Sequence, residues 1–258
     1  MMLFIIGLGL WNEKDISMKG YETVLKADEV YVEFYTSKLC GSNLKKLKKF
    51  FKKEIVKLDR KDLEDYCDLI LEKAKDKDIA ILVPGDPVIA TTHIALMIEA
   101  QKIGVEVKII HASSIISAVC ALTGLHSYKF GKSATISYPY KNMVSRTPIT
   151  TIKDNRNINA HTLLYLDLHP KPMTINEGIK ILEQVDDGFL NNCYAVGVAR
   201  AGSDFPTVKC DKIKKLKKFE FGPPLHALVV LSPKLHFLEY EFLRTFASAP
   251  RSLKKFVE

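Results

Sequence analysis

The chain has 258 residues, 47% of them apolar and 26% charged, a balance that excludes disordered, collagen-like and low-complexity chains and provides ample core material. Lys and Arg number 38 against 30 Asp and Glu, a net charge of +8, which favours an acidic partner without requiring one. The five cysteines at 40, 67, 120, 193 and 210 form no C-x-x-C pair, so the composition argues for reduced thiols in a cytoplasmic protein.

The apolar opening Met1–Gly7 has no basic segment before it and reads as a first strand, not a signal peptide. Further apolar runs at Val30–Phe34, Glu54–Leu58, Ile79–Val83 and Val105–Ile110 are strand candidates. Leu63, Tyr66, Cys67, Ile70, Leu71 and Ala74 form one face of a helix between two of them, with Cys67 in the core. Ile94–Ile103 is a second helix, with Ile94, Met97 and Ile98 aligned and Gly104 at its end. Strands alternating with helices point to α/β architecture with crossover connections. Ile109–Tyr128 is uncharged, but His111, Ser113, Ser114, Ser117, Thr123, Gly124 and His126 make it too polar for a spanning helix, and no membrane association is expected. It holds a small-residue helix, Ile115–Leu122, and a Gly124–Gly131 loop. These divide the chain into an N-terminal α/β domain over 1–112, a joint over 113–130 and a C-terminal α/β domain over 131–258. In the latter, Thr135–Tyr138, Thr162–Leu168, Ala195–Ala199 and Ala227–Leu231 are strand-like. Thr174-Ile-Asn-Glu177 is a capping box, and a last helix from Leu235 aligns Leu238, Phe242 and Phe246.

Lys45–Lys61 holds eight Lys and Arg60 against Glu54 and Asp59, and Lys209–Lys218 holds six Lys against Asp211. Such runs coat a solvated face or dock on an acidic macromolecule or RNA. No aromatic ladder for stacking bases accompanies them.

Gly7-Leu8-Gly9-Leu10 follows the first strand and allows a sharp turn with close approach of backbone to a ligand; Asn12 replaces the third glycine of a dinucleotide fingerprint. Pro84-Gly85-Asp86-Pro87 ends another strand, where open α/β sheets bind ligands; Asp86 suits either ligand binding or an Asx turn. Thr91-Thr92-His93 offers a helix cap and a histidine that is either base or structural. His111-Ala-Ser-Ser114-Ile115 brings hydroxyls and amides to another strand end. Leu164–Asp167, Val198–Asp204 and Pro224-Leu225-His226 mark strand ends in the second half. No P-loop, H-E-x-x-H, G-x-S-x-G or zinc-spaced Cys/His cluster occurs, which argues against hydrolase and metal-dependent chemistry; no metal is expected.

Taken together, Gly7-Leu-Gly-Leu10, Pro84-Gly-Asp-Pro through Thr91-Thr-His93 and Ala199-Arg-Ala-Gly202 resemble the class III S-adenosylmethionine-dependent methyltransferases, the tetrapyrrole methylase-like family. Phe34-Tyr-Thr-Ser37, Thr123-Gly-Leu-His126, Tyr128–Ser133 and Ala249-Pro-Arg251 are similar to its diphthine synthase branch. The resemblance implies two α/β domains with S-adenosyl-L-methionine in the cleft between them and S-adenosyl-L-homocysteine as by-product. It implies cofactor contacts at Leu10, Asp86, Ile89, Ser114, Ile115, Leu166, Ala201 and His226. Ile89 stands where relatives often have Val, and Leu225 separates Pro224 from His226. The implied reaction is trimethylation of the amino group of the 3-amino-3-carboxypropyl-histidine of translation elongation factor 2, a step of diphthamide biosynthesis, by a homodimer that does not bind nucleic acid. No side chain is expected to be indispensable as a base, and Asp86 is expected to orient the cofactor. The competing readings are a class III methyltransferase for ribosomal RNA or a tetrapyrrole, and a non-catalytic RNA-associated module.

Overall fold

The structure is a computed structural model that describes residues 1–258. The chain divides into two compact units, Met1–Ile115 and Ile116–Glu258. In the first, strands β1 (Met2–Gly7), β2 (Glu29–Glu33), β3 (Val56–Leu58), β4 (Ile79–Val83) and β5 (Glu106–Ile110) form a wholly parallel sheet in the order β3-β2-β4-β1-β5. Its helices are α1 (Met18–Lys26), α2 (Leu44–Phe51), α3 (Arg60–Glu64), α4 (Asp68–Ala74) and α5 (His93–Lys102).

Both faces of this sheet are covered, which is why its central strands read as unbroken apolar runs. Alternate residues go to opposite cores. Phe4, Ile6, Ala80 and Leu82 pack with Val24 of α1 and with Leu47 and Phe51 of α2. Leu3, Ile5, Ile79, Ile81 and Val83 pack with residues of α3, α4 and α5. The connections leaving β1 and β4 run in opposite directions across the sheet, so these neighbouring strands flank a topological switch point, where a crevice opens beyond their carboxyl ends.

The second unit takes in α6 (Ile115–Thr123), β6 (Ala134–Ile136), α7 (Thr147–Asn157), β7 (Thr162–Leu166), α8 (Ile175–Glu183), β8 (Tyr194–Ala199), β9 (Thr207–Lys212), α9 (Ile213–Leu216), β10 (His226–Val230) and α10 (Phe237–Phe246). Its sheet is mixed, in the order β6-β7-β10-β8-β9, with β6 and β7 parallel and the other pairs antiparallel. Ile136, Leu164, Leu166, Leu228 and Val230 meet Ile149 and Ile152 of α7 and Ile175, Ile179 and Leu182 of α8 in one core. The capping box opening α8 forms as its sequence predicts: the Thr174 hydroxyl accepts the Glu177 N–H, and the Glu177 carboxylate accepts the Thr174 N–H.

Three helical expectations need correction. The stretch predicted as one helix over 63–74 is two. The N–H groups of Asp65 and Tyr66 both bond the Lys61 carbonyl, closing α3, and Tyr66 points to solvent. Cys67 does pack partly against the core. In α5 the buried residues are His93, Leu96 and Ala100, while Ile94 and Ile98 are exposed; a segment that is apolar on all sides gives periodicity no face to choose. In α10 the buried residues are Glu239, Tyr240 and Leu243, whereas Leu238 and Phe246 face solvent. Strand β9 overlaps the start of the basic run Lys209–Lys218. It is an edge strand with little burial beyond Cys210, so it lacks an apolar signal. The uncharged run Ile109–Tyr128 is broken into the end of β5, α6 and a turn, and no helix is long and apolar enough to cross a membrane.

Candidate cofactor site

Three loops meet beyond the carboxyl ends of β4, β1 and β5. The Leu8 N–H donates to the Val83 carbonyl at 2.8 Å, and Gly9 and Gly85 exchange backbone hydrogen bonds, joining the Gly-Leu-Gly-Leu and Pro-Gly-Asp-Pro loops. A Cβ at Gly7 would lie 2.6 Å from the Gly85 carbonyl oxygen, 2.8 Å from Ala112 Cβ and 3.0 Å from Pro87 Cδ, so only glycine lets the three loops close together. Gly85 is different. It adopts φ +79°, and a Cβ there would meet nothing within 4 Å, which leaves open space above the loop for a ligand. Asn12, standing at the missing third glycine, instead caps a 3-10 turn by accepting the Lys14 N–H. Asp15 accepts the N–H groups of Trp11 and Asn12.

Within this unit, five of the expected contact residues share one edge: Leu10, Asp86 and Ile89 on the first two loops, Ser114 and Ile115 on the third. Asp86 is 8% exposed. Its Oδ1 accepts the Val88 N–H at 3.2 Å in an Asx turn, and its Oδ2 lies 2.8 Å from His111 Nδ1. Both roles weighed for this carboxylate remain compatible, since each oxygen can accept a further hydrogen bond. His111, by contrast, is well exposed, and pattern reading gave no sign that it pairs with Asp86, 25 residues away.

A second polar cluster supports the Pro-Gly-Asp-Pro loop from below. His93 is buried and its Nδ1 donates to the Pro87 carbonyl at 3.1 Å, so the structural reading of this histidine holds. Glu33, buried at the end of β2, accepts the N–H groups of Tyr35 and Thr36 and the Thr36 hydroxyl, pinning the Phe34–Ser37 motif. Burial, and then the negative charge of Glu33, push the Tyr35 hydroxyl up to about 12. The Arg60 guanidinium lies over the Tyr35 ring, 5.2 Å from its centroid. The signal for Glu33 in the sequence is a carboxylate closing the run Val30-Tyr-Val32, which nothing in its pattern ties to the loop after β4.

In the second unit, Leu166 ends β7, His226 begins β10 and Ala201 follows β8. The register pairs Ala227 with Tyr165 and His226 with Ala199, so these three residues gather at one end of the mixed sheet. Arg200 holds that end together. Its backbone is left-handed at φ +54°, and its guanidinium donates to the carbonyls of Phe221 and Pro223, each at 2.8 Å, and to the Thr207 hydroxyl. The His226 ring is committed: Nδ1 accepts the Ile175 N–H at 3.2 Å and Nε2 donates to the Pro223 carbonyl at 3.1 Å. Burial lowers its pKa, in keeping with a neutral ring. It is therefore no candidate base, and any ligand contact falls to its backbone or carbon atoms.

An open parallel sheet with glycine-shaped loops at its switch point, followed by a mixed sheet of order β6-β7-β10-β8-β9, defines a methyltransferase of the class III fold. Residues 2–216 match the family described as tetrapyrrole (corrin/porphyrin) methylases. Diphthine synthase of Archaeoglobus fulgidus is 54% identical over 256 residues, covering 99% of this chain and 100% of that protein. Diphthine synthase of Methanosarcina acetivorans is 47% identical over 268 residues, covering 100% of both. A crystal structure of diphthine synthase aligns with a TM-score of 0.95 at 53% identity, covering 100% of both chains. The chain belongs to the tetrapyrrole methylase family of S-adenosylmethionine-dependent methyltransferases and, within it, to the diphthine synthases.

Proposed function

We propose that the chain is a diphthine synthase, transferring three methyl groups from S-adenosyl-L-methionine to the amino nitrogen of the 3-amino-3-carboxypropyl-histidine of translation elongation factor 2. The observation that carries this reading is similarity at 54% identity along 99% of the chain to a protein of that name; it favours this acceptor over ribosomal RNA or a tetrapyrrole. We further propose that Leu10, Asp86, Ile89, Ser114, Ile115, Leu166, Ala201 and His226 hold the cofactor. The open space beside Gly85 and the convergence of three loops on Gly7 support that assignment for the first unit.

Bound S-adenosylmethionine supplies a sulfonium methyl that is already electrophilic, so the protein's own tasks are positioning and desolvation. Loops fixed by the Gly9–Gly85 bridge and the Asp86 turn hold a ligand in one orientation. Good alignment of reacting groups contributes about 7–11 kcal/mol to lowering such a barrier. The incoming amine must also shed its proton, and a less polar site lowers its pKa.

Operation in the cytoplasm and assembly as a homodimer belong to the same reading. The exposed apolar stripe of α10, Leu238 and Phe246 with half-buried Phe242, supports the assembly. It borders a groove of about 450 Å³ lined by Ala121, Leu122, Pro206, Thr207 and Val208. The function is tested by mass spectrometry of elongation factor 2 bearing the 3-amino-3-carboxypropyl group after incubation with the chain and S-adenosylmethionine. Three added methyl groups on the modified histidine are expected. Methylation of ribosomal RNA or a tetrapyrrole in its place would overturn the reading.

A further inference from the structure

We propose that His111 is the catalytic base that removes the proton from the acceptor amine before each methyl transfer; this deepens the function proposed above and rests on it. His111 is the first residue past β5, at the sheet edge where the loops after β1 and β4 converge. Its side chain is 68% exposed, whereas its partner Asp86 is 8% exposed. The Nδ1–Oδ2 separation is 2.8 Å. A carboxylate only accepts, so Nδ1 carries the hydrogen and the lone pair of the neutral ring sits on Nε2, at the outward end of the imidazole. A buried carboxylate that fixes the tautomer of an exposed imidazole and leaves its far nitrogen with a lone pair is the arrangement of an oriented general base.

The other titratable groups of this edge are buried or bonded. His93 is 1% exposed and bonded to Pro87 through Nδ1, with its Nε2 enclosed 3.8 Å from the buried Glu33 carboxylate, which accepts from Tyr35 and Thr36; Asp86 is itself the orienting partner, and the Tyr35 hydroxyl is pushed up to about 12. Among charged groups around the ring, Asp86 is bonded to it. Glu106 and Lys108 of β5 alternate to the opposite side of that strand from position 111, and the Gly7–Leu10 loop carries no charge.

The chemistry gives such a group a task beyond the pKa lowering that desolvation supplies, in place of the expectation that no side chain serves as a base. An aliphatic amine is protonated at neutral pH, with a pKa of about 8–10. In each round an N–H bond of the ammonium breaks, its electron pair stays on nitrogen and the proton goes to His111 Nε2. The nitrogen pair then forms the N–C bond, while the pair of the broken C–S bond goes to sulfur. Exposed His111 returns its proton to water. Three rounds convert R–NH3⁺ and three sulfonium donors into R–N(CH3)3⁺, three thioether by-products and three protons.

The test uses the full chain with His111→Ala and with His111→Gln, whose amide offers an N–H donor but no basic nitrogen. At neutral pH both variants are expected to methylate modified elongation factor 2 about 100-fold more slowly than wild type, within the range for loss of a positioned base. The deficit should shrink as pH rises through the pKa of the amine, because the substrate then deprotonates unaided. S-adenosylhomocysteine affinity by calorimetry should be unchanged. Independently of turnover, nitrogen NMR of the ligand-free protein should show His111 as the Nδ1–H tautomer, lost in Asp86→Ala. A wild-type rate in either variant at neutral pH, a deficit constant across pH, or an Nε2–H tautomer would overturn the proposal. Failure of the wild-type chain to methylate this acceptor would overturn the underlying function and this inference with it. That outcome is distinguished because it appears before any variant is compared.

Discussion

Glu239 is fully buried in α10 and yet holds a charge. Burial by itself pushes its carboxyl up. Hydrogen bonds from His161 Nε2 at 3.1 Å, Lys129 Nζ at 2.8 Å and the N–H groups of His126 and His236, each at 2.9 Å, outweigh that and hold it well below the usual carboxylate range. His161 stays neutral, with burial lowering its pKa and its Nδ1 accepting the Ser232 N–H. One carboxylate thus ties the Thr123–Lys129 turn, the start of β7 and the cap of α10 together. Because the folded pKa lies below the unfolded value of 4.5, the stabilisation is complete above that pH and is lost as pH falls from there through the folded value. Glu239→Gln should cost about 3–5 kcal/mol at neutral pH by leaving the Lys129 ammonium, still bonded to the Lys234 carbonyl, without its counter-charge. Urea unfolding at neutral and acid pH checks both parts: the variant should be less stable at neutral pH, and the gap should narrow in acid. The two most buried thiols have no comparable partners. Burial pushes Cys193 up and Cys210 up to about 12, which makes them inert packing residues.

Among elements, α10 departs most from its pattern. Leu238, Phe242 and Phe246 recur every four residues, a spacing that alone assigns them to a core. The structure instead turns inward the stripe that contains Glu239, because satisfying a buried charge network fixes the rotation of the helix. A helix that leaves an apolar stripe facing outward suits an assembly surface. The proposed homodimer is expected to sediment as a dimer, and Leu238→Asp combined with Phe246→Asp should yield a monomer with unchanged unfolding of the chain. Persistence of the dimer in that double variant would place the contact elsewhere.

At the scale of the whole molecule, the excess of basic residues is concentrated in two runs that the fold distributes to different units. Part of that charge is answered locally, by Lys48 with Glu54, Lys57 with Asp59 and Lys217 with Glu183, while Lys45 and Lys49 on α2 remain exposed without such a partner. Charge complementarity speeds encounter and is screened by salt over about 8–10 Å, whereas a small ligand held by loops and backbone groups is much less affected. Added salt should therefore slow methylation of the protein acceptor and leave S-adenosylhomocysteine affinity nearly constant. A salt-insensitive rate would remove the docking role of the lysine runs.

By itself the sequence determined the strands that are buried on both faces, because a parallel sheet covered on two sides demands continuous apolar runs. It also marked the glycine and proline loops at their ends, because few residues tolerate those backbone conformations. Edge strand β9, the break between α3 and α4 and the inward faces of α5 and α10 were decided only in three dimensions. There, partners distant in the chain compete for each surface, and a polar edge or an all-apolar helix carries no period to read. The pairing of Asp86 with His111 and the hub at Glu239 belong to the same class: each depends on groups brought together across 25 residues or more, and a hydrogen bond of that span exists only once the sheet or helix that aligns its two ends has formed.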